Sequence, residues 1–213
     1  MKLILIAPSG GGKGSQADMI TRDFGIPNIS TGDLLRKHVS DGTKIGKEAQ
    51  SYMNAGQWVP DSVMIDIITQ AVVGMEGYIL DGFPRTLNQA KALKNGGIDI
   101  DAVIELDVSD EMVMERLAGR WTCKNSECGF IWNENFEGFT HGQCGKCQGE
   151  IFQREDDKPE TIARRLKNYR ESNKDILDFY REQGKLFSIK VQPHYMPADT
   201  YKILKAHLDE IVQ

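Results

Sequence analysis

A lysine set among glycines follows an apolar stretch at the start of the chain: Leu3–Ile6 runs into Ala7-Pro-Ser-Gly-Gly-Gly-Lys-Gly-Ser15. Glycines let successive backbone N–H groups converge on phosphate oxygens. A helix that follows adds the positive end of its dipole, and Lys13 adds a full charge. The run departs from the pattern G-x-x-x-x-G-K-[ST] twice: Ala7 stands where that pattern has glycine, and Gly14 separates Lys13 from Ser15. A flexible turn could hold the same residues. The strand-like run before it and the amphipathic Gln16–Phe24 after it favour a strand–loop–helix phosphate site.

Asp81-Gly-Phe-Pro-Arg85 follows a second apolar run, Tyr78–Leu80. A carboxylate at the end of such a strand, beside a phosphate loop, can hold Mg²⁺ through water, with the Ser15 hydroxyl on the other side. Arg85 offers a planar fork for phosphate oxygens. Asp-Gly and Phe-Pro are also turn dipeptides, so this group read alone is equally a turn. Arg36, Arg85, Arg116, Arg120, Arg154 and Arg165 fall near the loop or at the edges of insertions, with Arg116 and Arg120 four apart on one helix face. Singly, each is an ordinary solvated side chain. Together they would surround a transferring phosphoryl group with the charge its transition state needs.

The four cysteines form a third constellation: Cys123-x4-Cys128, fifteen residues, then Cys144-x2-Cys147. Two such knuckles bring four thiolates into a tetrahedron that closes a structural Zn²⁺ site. Iron suits four thiolates as well. Two disulfides or free thiols are the alternatives, and a reducing compartment disfavours the disulfides. His141 lies close to Cys144 in sequence, but four cysteines already suffice, so it reads as a solvated side chain.

Elements must position these groups. Leu3–Ile6, Tyr78–Leu80, Val103–Val108 and Leu186–Val191 are strand-like, and helical patterns separate them. That alternation predicts βαβ units and a parallel sheet. Val63, Met64, Ile67, Ile68 and Ala71 recur at helical spacing after Pro60-Asp61. Thr86-Leu-Asn-Gln89 reads as a capping box, Ser109 caps a helix to Gly119, and Pro159 opens a long helix to Gly184. Ser30–Gly56 reads as an insertion of two short polar helices turning at Asp41-Gly42, and residues 121–158 as a second insertion with little helical period.

The 213 residues suit one large domain with insertions. A net charge of −5 argues against broad binding to nucleic acid or anionic membrane. No apolar stretch approaches the ~20 residues that span a bilayer, and Leu3–Ile6 is too short for a signal-peptide core. The expectation is a cytoplasmic protein.

The chain resembles adenylate kinases of the long-lid type over nearly its whole length. The matching segments, in order, are Pro8-Ser-Gly-Gly-Gly-Lys-Gly-Ser-Gln16, Ser30-Thr-Gly-Asp-Leu-Leu-Arg36, Asp81-Gly-Phe-Pro-Arg-Thr86, Arg116-x-x-Gly-Arg120 and Arg154-x-Asp-Asp157 with Arg165 downstream. The resemblance implies a P-loop α/β fold with a five-stranded parallel sheet. It implies a core at 1–29, 60–120 and 159–213, an AMP-binding insertion at 30–59 and a mobile lid at 121–158 of the four-cysteine zinc form. It further implies ATP and AMP as substrates and Mg²⁺ with ATP; the oligomeric state is undetermined from sequence, with a monomer as the default. Gly10, Gly12, Lys13, Gly14, Ser15, Arg116 and Arg120 would hold ATP. Thr31, Arg36, Val59, Gly82, Arg85, Gln89, Arg154 and Arg165 would hold AMP, with Gln89 at the adenine edge. Lys13, Asp81, Arg85, Arg120, Arg154 and Arg165 would be catalytic, and Asp156 and Asp157 would help lock the closed form. The chain departs from the family's usual pattern at Ala7 and at Pro193, where glycine is usual, and the second departure predicts relaxed choice of donor base. Rival readings are a nucleoside monophosphate kinase of looser base choice, and a nucleotide switch or zinc-ribbon binding module. A switch needs no second nucleotide site, whereas Ser30–Arg36 with Asp81–Arg85 would build one.

Overall fold

The computed structural model describes residues 1–125, 127–135 and 138–212. In chain order the strands are β1 (Lys2–Ile6), β2 (Asn28–Ser30), β3 (Tyr78–Asp81), β4 (Ala102–Asp107), β5 (Arg120–Cys123), β6 (Ile131–Asn133), β7 (Ile151–Phe152) and β8 (Leu186–Lys190). The helices are α1 (Lys13–Phe24), α2 (Thr31–Ser40), α3 (Lys44–Asn54), α4 (Asp61–Val72), α5 (Leu87–Asn95), α6 (Asp110–Ala118), α7 (Pro159–Arg181) and α8 (Pro197–Val212). Five parallel strands pair in the order β2-β3-β1-β4-β8, and β6-β5-β7 form a separate antiparallel sheet.

Both faces of the parallel sheet are buried, so its strands are apolar on both sides. Leu3 and Leu5 of β1 join one core with Ile20, Leu117, Ile162 and Leu204; Ile4 and Ile6 join the other with Leu35, Ile68, Leu93 and Tyr180. The chain runs outward from β1 to β2 and β3 on one side, then to β4 and β8 on the other. That reversal leaves a crevice beyond the C-terminal end of β1, where open α/β sheets bind ligands.

Beside the three short strands of the small sheet, two elements of the core lie beyond those readable from residue patterns. β2 is three half-buried residues, too short and polar to signal a strand, and exists because Ile29 pairs with Leu80 of β3. α8 packs Tyr201, Leu204 and Leu208 on the sheet. The long helix α7 ends at Arg181, and a turn carries the chain to Gly184. The expected capping box is half formed. Thr86 Oγ1 accepts from the Gln89 N–H at 3.1 Å, but Gln89 Oε1 takes the N–H of Arg85 rather than that of Thr86.

The α2–α3 hairpin is drawn tight at its turn. Thr43 caps α3 by accepting from the Gly46 N–H at 3.0 Å, and its hydroxyl donates to the His38 carbonyl at 3.1 Å. Among the described residues no helix is long and apolar enough to cross a membrane.

Candidate functional site

The phosphate loop leaves β1 and enters α1 earlier than the sequence pattern suggested, because Gly12 is the N-cap at φ 94° and Lys13 opens the helix. Lys13, Gly14 and Ser15 therefore form the first turn, whose N–H groups have no intrahelical partners and are free for an anion. Gly10 is required twice over: φ is 80°, and a Cβ there would meet Leu117 at 2.7 Å. Ala7 is accommodated because Gly11 faces it; a Cβ on Gly11 would lie 2.8 Å from the Ala7 methyl. Nothing in the fold crowds Gly14, so its bare backbone leaves that side of the loop open to a ligand.

Lys13 folds back over the loop, Nζ donating to the carbonyls of Ala7 at 2.8 Å and Pro8 at 3.1 Å. Burial lowers its pKa to about 8; Asp81 opposes that, and Arg85, Arg165 and Arg120 add to it. Burial pushes the Asp81 carboxyl up, while Lys13 and Arg85 pull it down. Arg85 and Arg154 are lowered by burial and then by neighbouring guanidinium groups. Arginine stays protonated at neutral pH. The site is thus an excess of positive charge, which an anion would relieve.

Beside this cluster lies an open cleft. Arg36, Val59, Gly82, Arg85, Gln89 and Arg165 are among the residues that line it. Thr31 is fully buried, and its hydroxyl donates to the carbonyls of Asp81 at 3.2 Å and Gly82 at 3.0 Å, tying the start of α2 to the loop after β3. Gly82 at φ 82° has no room for a Cβ against Thr31 Oγ1. Its carbonyl also accepts from Arg85 Nε at 2.7 Å, and the Arg85 guanidinium lies 4.7 Å from the Trp58 ring centre. Trp58 and Asp33, which pairs with Arg36, were not singled out in the sequence. An aromatic beside Val59 and an acid three residues before Arg36 were the available signals.

Of the remaining arginines Arg154 lies in the second insertion and the others at its roots. α6 stops at Ala118, so Arg120 opens β5 and does not share a helix face with Arg116 as the spacing suggested. Arg120 grips Asp157 through two parallel bonds, Nε at 2.8 Å and Nη2 at 2.5 Å, with both side chains nearly buried. Arg165 pairs with Asp156 at 2.8 Å, and Arg154 Nε donates to Thr122 Oγ1 at 2.9 Å. Arg116 reaches to within 3.9 Å of the position a Gly12 Cβ would take. Arg154 and Thr31 are not among the cleft-lining residues.

At the end of β5 in the small antiparallel sheet and in the turns beside it, Cys123, Cys128, Cys144 and Cys147 bring their sulfurs within 4.8 Å of one another. Cys123 and Cys147 are 3.4 Å apart, and Cys128 and Cys144 are 3.9 Å apart. Tetrahedral Zn²⁺ with ~2.3 Å bonds needs sulfurs about 3.8 Å apart, so the donor set fits. The wide first knuckle closes on one carbonyl: Asn125 O accepts from the N–H groups of both Cys128 and Gly129. Desolvation raises the Cys144 thiol, but the Trp132 indole N–H at 3.3 Å and two backbone N–H groups outweigh it and lower the pKa. His141 lies edge-on to Phe139 and Trp121, outside the sulfur cluster.

A family model described as adenylate kinase matches residues 5–185. Among curated proteins, an adenylate kinase of Syntrophotalea carbinolica is 46% identical over 197 residues, 89% of this chain and 90% of that protein. Adenylate kinases of Salinispora tropica and Archaeoglobus fulgidus are 44% and 43% identical over the same shares.

Proposed function

The chain belongs to the adenylate kinase family and is a phosphotransferase, and from that premise we propose how its residues carry ATP + AMP ⇌ 2 ADP. The observation that carries the reading is Lys13 lying over the phosphate loop with Arg85 and Arg165 lining the adjoining cleft, and Arg120 and Arg154 held nearby by Asp157 and Thr122. ATP lays its phosphates on the N–H groups of Gly10, Gly12, Lys13, Gly14 and Ser15, with Arg116 and Arg120 above them. AMP fills the cleft, its phosphate on Arg36, Arg85, Arg154 and Arg165. Its base lies against Val59 and Gln89, and Thr31 and Gly82 shape the wall. The acceptor is already a phosphate anion, so no general base is needed. Catalysis is positioning, charge neutralisation and exclusion of water.

Mg²⁺, when bound with ATP, supplies charge neutralisation between the phosphates. Asp81, at the end of β3, is the carboxylate suited to hold it, with the Ser15 hydroxyl, both being hard oxygen donors. Zn²⁺ in the four-thiolate site is structural, since four sulfurs leave it no open position. Residues 30–59 form the acceptor-binding unit and 121–158 the lid. Asp156 and Asp157 hold the lid root to Arg165 and Arg120. A site of four free thiolates suits a reducing compartment, which fits a cytoplasmic location. The net negative charge supports action on small nucleotides without nucleic acid or membrane. A coupled assay for ADP from ATP and AMP tests the reading. Phosphoryl transfer that does not depend on AMP would sink it.

A further inference from the structure

Asp61 opens α4, and its carboxylate spans two residues of the next helix. Oδ2 accepts from the Thr86 hydroxyl at 2.8 Å, and Oδ1 accepts from Gln89 Nε2 at 2.7 Å. At the other end of the Gln89 amide, Oε1 accepts from the backbone N–H of Arg85 at 2.7 Å. Thr86 Oγ1 already accepts from the Gln89 N–H, so its own proton goes to Asp61. A carboxylate only accepts, and a backbone N–H only donates. Turning the Gln89 amide over would set its oxygen against Asp61 and its NH₂ against the Arg85 N–H. Gln89 is 1% exposed, so no water could make good the two lost bonds. The amide is held in one sense.

We propose that Asp61 is a specificity-positioning residue for the acceptor base; this rests on the reading that Gln89 meets the edge of AMP. With two of its bonds committed, Gln89 has one N–H and one oxygen lone pair left for the cleft. Adenine presents an amino donor beside a ring-nitrogen acceptor. A 6-oxopurine presents the reverse order on that edge, a carbonyl acceptor beside a ring N–H. An amide free to turn over would pair with either base. The locked amide pairs with adenine and leaves buried polar groups unmatched against hypoxanthine or guanine, which is how a polar site rejects a near-isostere.

The test is Asp61→Asn, which keeps the shape but lets position 61 donate as well as accept. With ATP fixed, kcat/KM is measured for AMP and for IMP, which differs from AMP at the edge in question. The expected result is a fall of at least tenfold in the AMP:IMP ratio. It should appear mainly in the two KM values, with IMP gaining and AMP losing. Thr86→Ser, which keeps the hydroxyl, should hold the parent ratio. The ratio is the readout because loss of folded protein lowers both rates by one factor and leaves it unmoved. An Asp61→Asn ratio equal to the parent's overturns the proposal while AMP-dependent activity of the parent stands. A parent protein without that activity overturns the functional reading itself.

Discussion

In the proposed reading Lys13 is the residue on which the chemistry turns. Its ammonium should follow the phosphate charge that grows in the transition state, so Lys13→Ala is expected to cut turnover by orders of magnitude with the fold intact. Turnover near the parent's would take the phosphate loop out of the mechanism. The lowered pKa of about 8 adds a pH signature. A bound polyphosphate favours the charged amine and raises that pKa. ATP binding should therefore draw in a proton as the pH climbs past about 8 and none well below it. Affinity should weaken as the pH rises through that value, by at most tenfold per unit. Calorimetry in buffers of different ionisation enthalpy reads the proton directly, and an uptake independent of pH would contradict the assignment to Lys13.

Among the elements, the α2–α3 hairpin depends on one close approach. A Cβ on Gly46 would lie 2.0 Å from the His38 carbonyl oxygen, and backbone cannot swing aside as a flexible side chain can. Gly46→Ala should force the two helices apart and cost about 1–3 kcal/mol, read as a lowered Tm, with KM for AMP rising more than KM for ATP. Among the described residues the small antiparallel sheet has a core of Cys123, Cys144 and Ile151 with partly buried neighbours, so metal in the proposed site should supply much of its folding energy. Stripping the metal should lower Tm, and a metal-free preparation with unchanged melting would exclude the site. The segment between β8 and α8 bears on the donor base. Pro193 and Pro197 have no N–H, Tyr195 N–H is spent on the Gln192 carbonyl, and Met196 N–H on Asp199. His194 and Tyr195 offer stacking surfaces instead. Stacking discriminates bases poorly, so GTP, CTP and UTP should serve as donors within ~100-fold of ATP in kcat/KM, about 2.7 kcal/mol. A larger preference for ATP would show that the segment reads adenine by another route.

At the scale of the molecule, both insertions are tied to the start of α7. Asn168 donates to the Gly56 carbonyl at 3.1 Å, Arg164 to the Ala55 carbonyl, and Arg165 to the Asp156 carbonyl at 2.9 Å. Arg120 and Arg165 are paired with Asp157 and Asp156, so substrate phosphates must compete for guanidinium groups that already have partners. Closure over both nucleotides should bring that exchange about and keep water from ATP. A mimic joining two adenosines through five phosphates should bind far more tightly than either nucleotide. It should also shorten the distance between labels at Gln50 and Asn135. An unchanged distance would argue for a rigid, preformed site.

The sequence by itself determined the chemistry that is local in the chain. Leu3–Ile6 running into Gly10–Ser15 is a phosphate loop wherever it folds, because strand, turn and helix start are contiguous. The paired knuckles Cys123–Cys128 and Cys144–Cys147 likewise announce a four-thiolate site, which the clustered sulfurs accommodate. Only the tertiary structure decided what depends on residues far apart. β2 is a strand because β3 lies beside it, and Ala7 is tolerated because Gly11 folds back against it. Gln89 and Thr86 were visible as a capping box, yet the partner that turns their polar atoms is Asp61, 28 residues before Gln89. Side-chain hydrogen bonds of that reach have no period and no motif. They exist only where the packing of α4 against α5 brings the groups together.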